Sequence, residues 1–208
     1  MKFGKLSEDE LKNKKLSLPA DHADTQHVLA KGYGGVKVHV GCAKWGRKEW
    51  VGLIYPKRTK DNDFLDEYVK HFNSIEMNTT FYSVKKANVE SWTSRAPKGF
   101  MFCPKVSRNV THIKRLNDDA KRYSDYFLEA ISGFEGNLGP SFMQLPENFA
   151  GKYFERLKAY IEDVPEDFKL FVEIRHESWF EDQSIFDETF QLLKENNIGA
   201  VITDVADR

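Results

Sequence analysis

Two glutamates, Glu76 and Glu173, occur in short segments where apolar and polar residues alternate. Alternation with a period of two is typical of a β-strand, so each carboxylate is predicted to lie on the polar face of a strand. Two carboxylates on either side of a small substrate can serve as general acid and general base. The alternative is a salt bridge from each glutamate to Lys105 or Arg175, which would disfavour its use as an acid.

Polar side chains also stand near the ends of the other apolar segments. The residues predicted to bind substrate there are Asn78, Lys105, Gln144, Arg175 and Asp204. Such a set predicts a ligand site, because buried charges are stable only when they are paired or open to a ligand. Arg175 suits a carboxylate or phosphate, since a guanidinium can donate two parallel hydrogen bonds. The alternative is a structural network of ion pairs.

The segment after Lys105 is basic and contains His112. We predict His112 as a third catalytic residue, because an imidazole transfers protons near neutral pH. A variant of this hypothesis makes Glu76, His112, Glu173 and Asp204 the ligands of a divalent metal. No HExxH or comparable motif supports that variant, so we assign neither a metal nor a cofactor. The alternative for the lysines and arginines of this segment is a solvated basic surface.

Aromatic residues follow several of the apolar segments. Tyr82 and Trp179 are predicted to contact the substrate, because aromatic rings stack on sugars and bases. For Trp50 and Phe81 the preferred interpretation is packing of loops.

The overall composition limits the function classes. The chain has 31 Lys and Arg against 32 Asp and Glu, a net charge of −1 that argues against bulk electrostatic binding of nucleic acid. Its two cysteines, Cys42 and Cys103, have no zinc-site spacing, and reduced thiols fit a cytoplasmic protein. No segment approaches the ~18 apolar residues of a membrane helix, so no membrane association is expected. The oligomeric state is left open.

Short apolar runs alternate with amphipathic, charged runs along most of the chain, which is typical of βαβ units. Residues 1–35 are polar, with one helix-like stretch at Ser7–Lys14, and are predicted to form an N-terminal arm. The domain is predicted to span residues 36–208. Its predicted strands are Val36–Cys42, Ser74–Asn78, Phe100–Lys105, Pro140–Leu145, Lys169–Arg175 and Gly199–Asp204. Its predicted helices are Asp63–Phe72, Lys85–Arg95, Asp118–Phe134, Lys152–Asp163 and Asp182–Asn196.

Single helices between the strands predict that the strands are parallel. A doubly wound sheet is covered by helices on both faces and should be apolar on both, whereas the predicted strands are apolar on one face only. We therefore predict an α/β fold of the TIM-type (β/α)8 class. Eight units need about 250 residues, so about six units are expected here and the closing strands are expected outside this chain.

Several segments together resemble the YecE-like family, also called domain of unknown function 72. The resemblance spans about Val38 to Asp204 and rests on the order and spacing of its segments. They are Gly41–Gly46, Tyr55-Pro56, Glu76–Tyr82, Trp92 with Pro97 and Phe100, Lys105 with Thr111-His112 and Arg115-Leu116, Gly139-Pro140, Gln144–Pro146 and Glu173–Trp179. The resemblance implies a barrel of the triosephosphate isomerase type and implies no established activity.

The leading hypothesis is an enzyme, a hydrolase or isomerase, that acts on a small polar substrate of anionic or sugar-like character. In it Glu76 and Glu173 exchange protons with the substrate, while Lys105, His112 and Arg175 position it. One alternative is a noncatalytic module that binds phosphate or, less favoured, nucleic acid. The other is a metal-dependent isomerase or hydrolase.

Overall fold

The computed structural model describes residues 9, 12, 20–21, 25–30, 35 and 37–203. The chain divides into two units, residues 1–38 with 203–208 and residues 39–202. In the first unit helix α1 spans Thr25–Leu29, which the sequence pattern did not predict. Lys12 and Asp9 form an exposed ion pair of 3.3 Å there. The rest of the predicted helical stretch at Ser7–Lys14 lies outside the described residues.

The second unit contains six short parallel strands, as the alternating pattern predicted. They are β1 Gly41–Cys42, β2 Ser74–Met77, β3 Met101–Pro104, β4 Ser141–Gln144, β5 Leu170–Glu173 and β6 Gly199–Ala200. They pair in the orders β1-β2-β3 and β4-β5-β6, with Glu76 beside Cys103 and Gln144 beside Glu173.

The predicted TIM-type barrel is wrong for this chain, because the strands form two separate three-stranded parallel sheets and neither sheet is closed. Two isolated bridges, Phe102–Leu138 and Lys105–Phe142, join the segments that contain β3 and β4 in the described part of the chain. The carbonyl of Phe102 accepts a hydrogen bond from the N–H of Gly139, and the N–H of Val106 donates to the carbonyl of Phe142. Pro104 lies midway between Phe102 and Val106 on the same edge of the strand, where a further N–H would donate. Proline has no N–H, and the ladder is interrupted there.

The two end strands are much shorter than predicted and both begin at a glycine. A Cβ atom on Gly41 would lie 2.1 Å from the carbonyl oxygen of Ser74, and one on Gly199 would lie 2.3 Å from the ring of Phe171. Both positions therefore need glycine because the neighbouring strand approaches so closely.

Helices lie between successive strands at the predicted places. They are α2 Phe64–Tyr68, α3 Thr79–Tyr82, α4 Lys86–Thr93, α5 Lys121–Ser132, α6 Phe154–Glu162, α7 Ser178–Glu181 and α8 Gln183–Glu195. Single 3-10 turns occur at Lys48–Trp50, Asp61–Asp63, Asp118–Ala120, Glu135–Asn137 and Gly151–Tyr153, and a π-helical turn at Asn109–Ile113. The short helices α3 and α7 were not predicted. Asp182 begins α8 by accepting hydrogen bonds from the N–H groups of Ser184 and Ile185.

The core lies between the strands and these helices. One face of the strands carries buried apolar side chains: Ile75, Met77, Phe102, Met143, Leu145, Leu170 and Val172. They belong to one cluster with residues such as Leu65, Phe127 and Leu193 of the helices. The opposite side of the strands, here called the open face, carries Glu76, Lys105, Gln144 and Glu173. The open face also carries Phe142 and Phe171 nearer the start of β4 and β5, so it is polar toward the carboxyl ends of the strands, where the sequence predicted polar residues.

Candidate functional site

Glu76 and Asn78 mark the carboxyl end of β2 on the open face. Asn78 donates a hydrogen bond of 2.7 Å from Nδ2 to Oε1 of Glu76. Just beyond them, the hydroxyl of Thr80 lies 2.7 Å from the carbonyl oxygen of Met77 and 2.8 Å from that of Lys105. Thr80 thereby fixes helix α3 against the end of β3, next to Lys105.

Lys105, Gln144, Glu173 and Arg175 form a continuous chain of side chains across β3, β4 and β5, here called the polar row. Lys105 Nζ donates to Gln144 Oε1 at 2.9 Å, and Gln144 Nε2 donates to Glu173 Oε2 at 2.7 Å. Gln144 suits this position because an amide both accepts and donates. Four residues predicted from the sequence are thus brought together.

Arg175 ends the polar row. Its terminal nitrogen pairs with Glu147, whose side chain is largely exposed. Its Nε is buried and lies 3.6 Å from Glu173 Oε1, too far for a hydrogen bond, and has no hydrogen-bond partner among the described residues. A buried guanidinium N–H without a hydrogen bond is costly, so the end of the polar row is held by charge attraction to Glu173 and by the pairing with Glu147.

Lys105 is half-buried and its ammonium group lies over two aromatic rings. Nζ is 4.9 Å from the centre of the Phe81 ring and 5.5 Å from that of Phe142. Burial lowers the pKa of Lys105 and Arg175 lowers it further, while Glu76 and Glu173 oppose the change. The negative charges of both candidate carboxylates therefore favour the charged ammonium group.

His112 lies in the π-helical turn at Asn109–Ile113, which follows β3. Its Nδ1 is 2.8 Å from the hydroxyl of Thr111, and its ring meets Phe81 edge-on at 5.0 Å. The pKa of His112 is lowered, first by burial and then by the positive charges of Lys105, Arg175, Arg108 and Arg115. The neutral imidazole is therefore favoured, which is the form that can accept a proton.

The backbone after this turn is unusual. Arg115 and Leu116 both adopt positive φ angles, of 51° and 54°. Consecutive left-handed residues without glycine are strained. Arg115 is held by two bonds to Asn148 and lies over the rings of Phe149 and Tyr153. These contacts keep the basic segment close to the end of β4.

A cavity of about 330 Å³ opens beside Glu76. It is lined by Ala43, Lys44, Trp45, Gly46, Ile75, Glu76, Met77, Asn78, Thr79 and Tyr82. Tyr82 is 67% exposed and meets Phe81 edge-on at 5.1 Å. Tyr82 therefore lies close to the polar row through Phe81, which also contacts Lys105.

The family is decided by comparison with known proteins. The model of the family described as "Protein of unknown function DUF72" matches residues 39–208. The chain belongs to the DUF72 family. This confirms the resemblance to YecE-like proteins.

Two curated bacterial proteins are similar to this chain in sequence, at 28% and 26% identity. The UPF0759 protein YecE of Escherichia coli K12 is 28% identical over 144 residues, covering 69% of this chain and 50% of that protein. The UPF0759 protein YunF of Bacillus subtilis 168 is 26% identical over 168 residues, covering 76% of this chain and 57% of that protein. The chain thus spans about half the length of these curated relatives.

Solved DUF72 structures match the fold. A DUF72 family protein from Thermotoga maritima MSB8 superimposes with a TM-score of 0.64 at 27% identity, covering 80% of this chain and 64% of that one. One from Enterococcus faecalis V583 gives 0.61 at 22% identity, covering 80% and 60%.

One residue predicted for the candidate site, Trp179, does not join it. Trp179 is 1% exposed, stacks on Phe149 at 6.1 Å and donates its indole N–H to the carbonyl of Phe149. It is placed as a core residue, away from solvent. Asp204 lies outside the described residues.

Some site residues were missed by sequence reasoning. Glu147 follows Gln144 by three positions and pairs with Arg175, and Phe142 and Phe81 hold the ammonium group of Lys105. The position of Glu147 could have indicated a site residue, since it is a charged residue shortly after the fourth apolar segment. Nothing in the sequence distinguishes Phe81 and Phe142 from aromatic residues that only pack.

In the part of the chain that the structure describes, no group of three or more His, Cys, Asp or Glu residues is arranged to hold a metal ion. None of the described helices has the length and apolar character needed to cross a membrane.

Proposed function

We propose that this DUF72 chain provides the acid–base site of an enzyme, a hydrolase or isomerase, acting on a small anionic substrate. Glu173 and Glu76 exchange protons with the substrate, and Lys105, His112 and Arg175 hold its negative group. The single observation that supports this most is the polar row, which links Lys105 to Glu173 through Gln144 by hydrogen bonds of 2.9 and 2.7 Å.

The position of the row supports a ligand site more than a purely stabilising network. Parallel α/β folds bind ligands outside the carboxyl ends of their strands, and the row follows those ends in β3, β4 and β5. A network closed on itself would also satisfy its buried donors. The Nε of Arg175 has no hydrogen-bond partner among the described residues, although Glu173 Oε1 lies 3.6 Å away.

Charge also supports an anionic substrate. Lys105, Arg108, Arg115 and Arg175 all act electrostatically on His112, so positive charge surrounds this ring. A neutral imidazole there can donate or accept a hydrogen bond without adding to that charge. Glu76 belongs to β2 and Glu173 to β5, which lie on opposite sides of the β3 segment that leads to Lys105. An anion held at Lys105 would have a carboxylate on each side.

Turnover by the full chain tests the proposal. Wild type and Glu173→Gln are incubated with glucose 6-phosphate, ribose 5-phosphate, glycerol 3-phosphate and bis(p-nitrophenyl) phosphate, and products are followed by ³¹P and ¹H NMR. We expect turnover of at least one compound, and a loss of about a hundredfold or more in Glu173→Gln with little change in substrate affinity. Glu129→Gln, on the exposed side of α5, is the matched control.

Two outcomes would overturn the proposal. One is absence of turnover by wild type together with binding that weakens steeply with salt and persists in Glu173→Gln, which indicates a noncatalytic anion-binding module. The other is equal loss of turnover in Glu173→Gln and Glu129→Gln, which indicates a general effect of charge removal.

A further inference from the structure

The cavity beside Glu76 has walls of unusual chemistry for a site that holds an anion. Its lining includes Ala43, Trp45 and Tyr82 together with the charged residues Lys44 and Glu76, and the positive charges of the polar row lie outside it. A largely apolar cavity of about 330 Å³ is within the range of small-molecule sites. It is therefore suited to an uncharged part of a ligand.

Glu76 and Asn78 restrict what that uncharged part can be. Asn78 Nδ2 donates to Glu76 Oε1 and both residues line the cavity, so the second carboxylate oxygen of Glu76 and the amide oxygen of Asn78 can still accept hydrogen bonds. Glu76 is exposed, so a ligand that covers its carboxylate displaces water and must supply hydrogen-bond donors in its place. A purely apolar ligand cannot supply them, whereas a compound with several hydroxyl groups can.

Tyr82 adds a flat apolar surface to these acceptors. Its ring is 67% exposed, and its one aromatic contact among the described residues is the edge-on contact with Phe81. A sugar ring has an apolar C–H face and a rim of hydroxyl groups, so it can lie on an aromatic ring while donating sideways to carboxylate and amide oxygens. Tyr82, Glu76 and Asn78 offer these two kinds of surface within one cavity.

The cavity and the cationic groups meet at helix α3. Tyr82 lines the cavity, and the preceding Phe81 lies 4.9 Å below the ammonium group of Lys105 and 5.0 Å from the ring of His112. In the sheet register Asn78 and Lys105 follow the paired residues Met77 and Pro104, so they are neighbours on adjacent strands. A ligand with its ring in the cavity can therefore extend a negative group to Lys105.

We propose that the substrate is a monosaccharide phosphate, with its sugar ring on Tyr82 in the cavity, its hydroxyl groups on Glu76 and Asn78, and its phosphate at Lys105. This rests on the proposed function, because it names the substrate of the same site. Glu76 then contacts a ring hydroxyl, the group whose proton it would move.

Calorimetric titration of the full chain tests this assignment. The probes are glucose 6-phosphate, fructose 6-phosphate and ribose 5-phosphate, each compared with inorganic phosphate and with glucose. We expect at least one sugar phosphate to bind about tenfold or more tightly than inorganic phosphate. Tyr82→Ala and Asn78→Leu should each remove most of that advantage and leave phosphate binding within about twofold. Lys105→Ala should weaken sugar phosphate and inorganic phosphate alike.

Tyr82→Phe is the matched control, since it keeps the ring and should keep the affinity. Equal affinity for sugar phosphates and inorganic phosphate would overturn the assignment, as would full sugar-phosphate affinity in Tyr82→Ala. Either result leaves the proposed function intact if Glu173→Gln still abolishes turnover of another compound. Sugar-phosphate binding of the expected kind without any turnover would instead overturn the proposed function alone.

Discussion

The two faces of the strands differ in what they contact and therefore in what they contribute. The face toward the helices is sealed: Ile75, Met77, Phe102, Met143 and Val172 are at most 2% exposed. The open face carries Glu76, Lys105 and Gln144, all accessible to solvent to some degree, and the buried but hydrogen-bonded Glu173. Neighbouring residues of one strand thus belong to different environments.

Adjacent residues of one strand therefore have different roles: one stabilises the core and the next belongs to the candidate site. Side chains alternate between faces, so a strand such as β5 contributes Val172 to the core and Glu173 to the site. A shift of register by one residue would place carboxylates in the core and apolar groups on the open face. The hydrophobic face therefore also fixes the geometry of the polar row.

The largest effect should come from removing an aromatic ring on the sealed face. Phe102 is 0% exposed and stacks on Phe134 at 4.6 Å, so Phe102→Ala should reduce the free energy of unfolding by about 3–5 kcal/mol. Phe171→Ala is the comparison on the open face, where the ring is 38% exposed. It should cost less than half as much. Urea denaturation followed by circular dichroism measures both.

Similar losses in the two variants would show that the open face is as important to the core as the sealed one. That result would remove the distinction between the faces. A loss confined to Phe102→Ala would support the distinction between the faces, because both substitutions delete a phenylalanine side chain.

A smaller effect should come from the centre of the polar row. Gln144→Leu removes the partner of both Lys105 and Glu173, which leaves two charged groups with fewer hydrogen bonds. We expect a loss of about 1–3 kcal/mol in the free energy of unfolding. Gln191→Leu on α8 removes a bond to Glu195 at an exposed position and should cost less than about 0.5 kcal/mol. Unchanged stability of Gln144→Leu would mean that water replaces the amide fully.

The sequence predicted the strands well because alternation is a local property. Each of the six strands lies within its predicted segment and all are parallel. Closure of the sheet is not local, and the barrel expectation failed there. The interruption between β3 and β4 arises because the backbone nitrogen of Pro104 lies on the edge of β3 that faces β4. The sequence alone does not say which edge that is, because it depends on how the strands are paired.

The candidate site was predicted in part for the same reason. Lys105, Gln144, Glu173 and Arg175 stand at strand ends, so their convergence follows from parallel strands of known direction. Trp179 looked similar in sequence, but its ring fills the core against Phe149. An aromatic residue after a strand suits both roles, and the choice depends on long-range packing. The π-helical turn that carries His112 has no comparable signal in composition.

The smallest effect should appear in the pH dependence of stability, and it tests the electrostatics of the open face. The lowered pKa of His112 means that, as pH falls through about 6.5, the unfolded chain binds a proton that the folded chain does not. Stability should therefore fall between pH 7.5 and 5.5, and His112→Asn should reduce that fall by less than about 1 kcal/mol, because the ring is partly solvated. Urea midpoints at the two pH values measure it, with His71→Asn at an exposed position as control. A fall that is equally steep in His112→Asn and in wild type would show that the positive charges around His112 are screened by solvent, and would weaken the case for an anion site beside it.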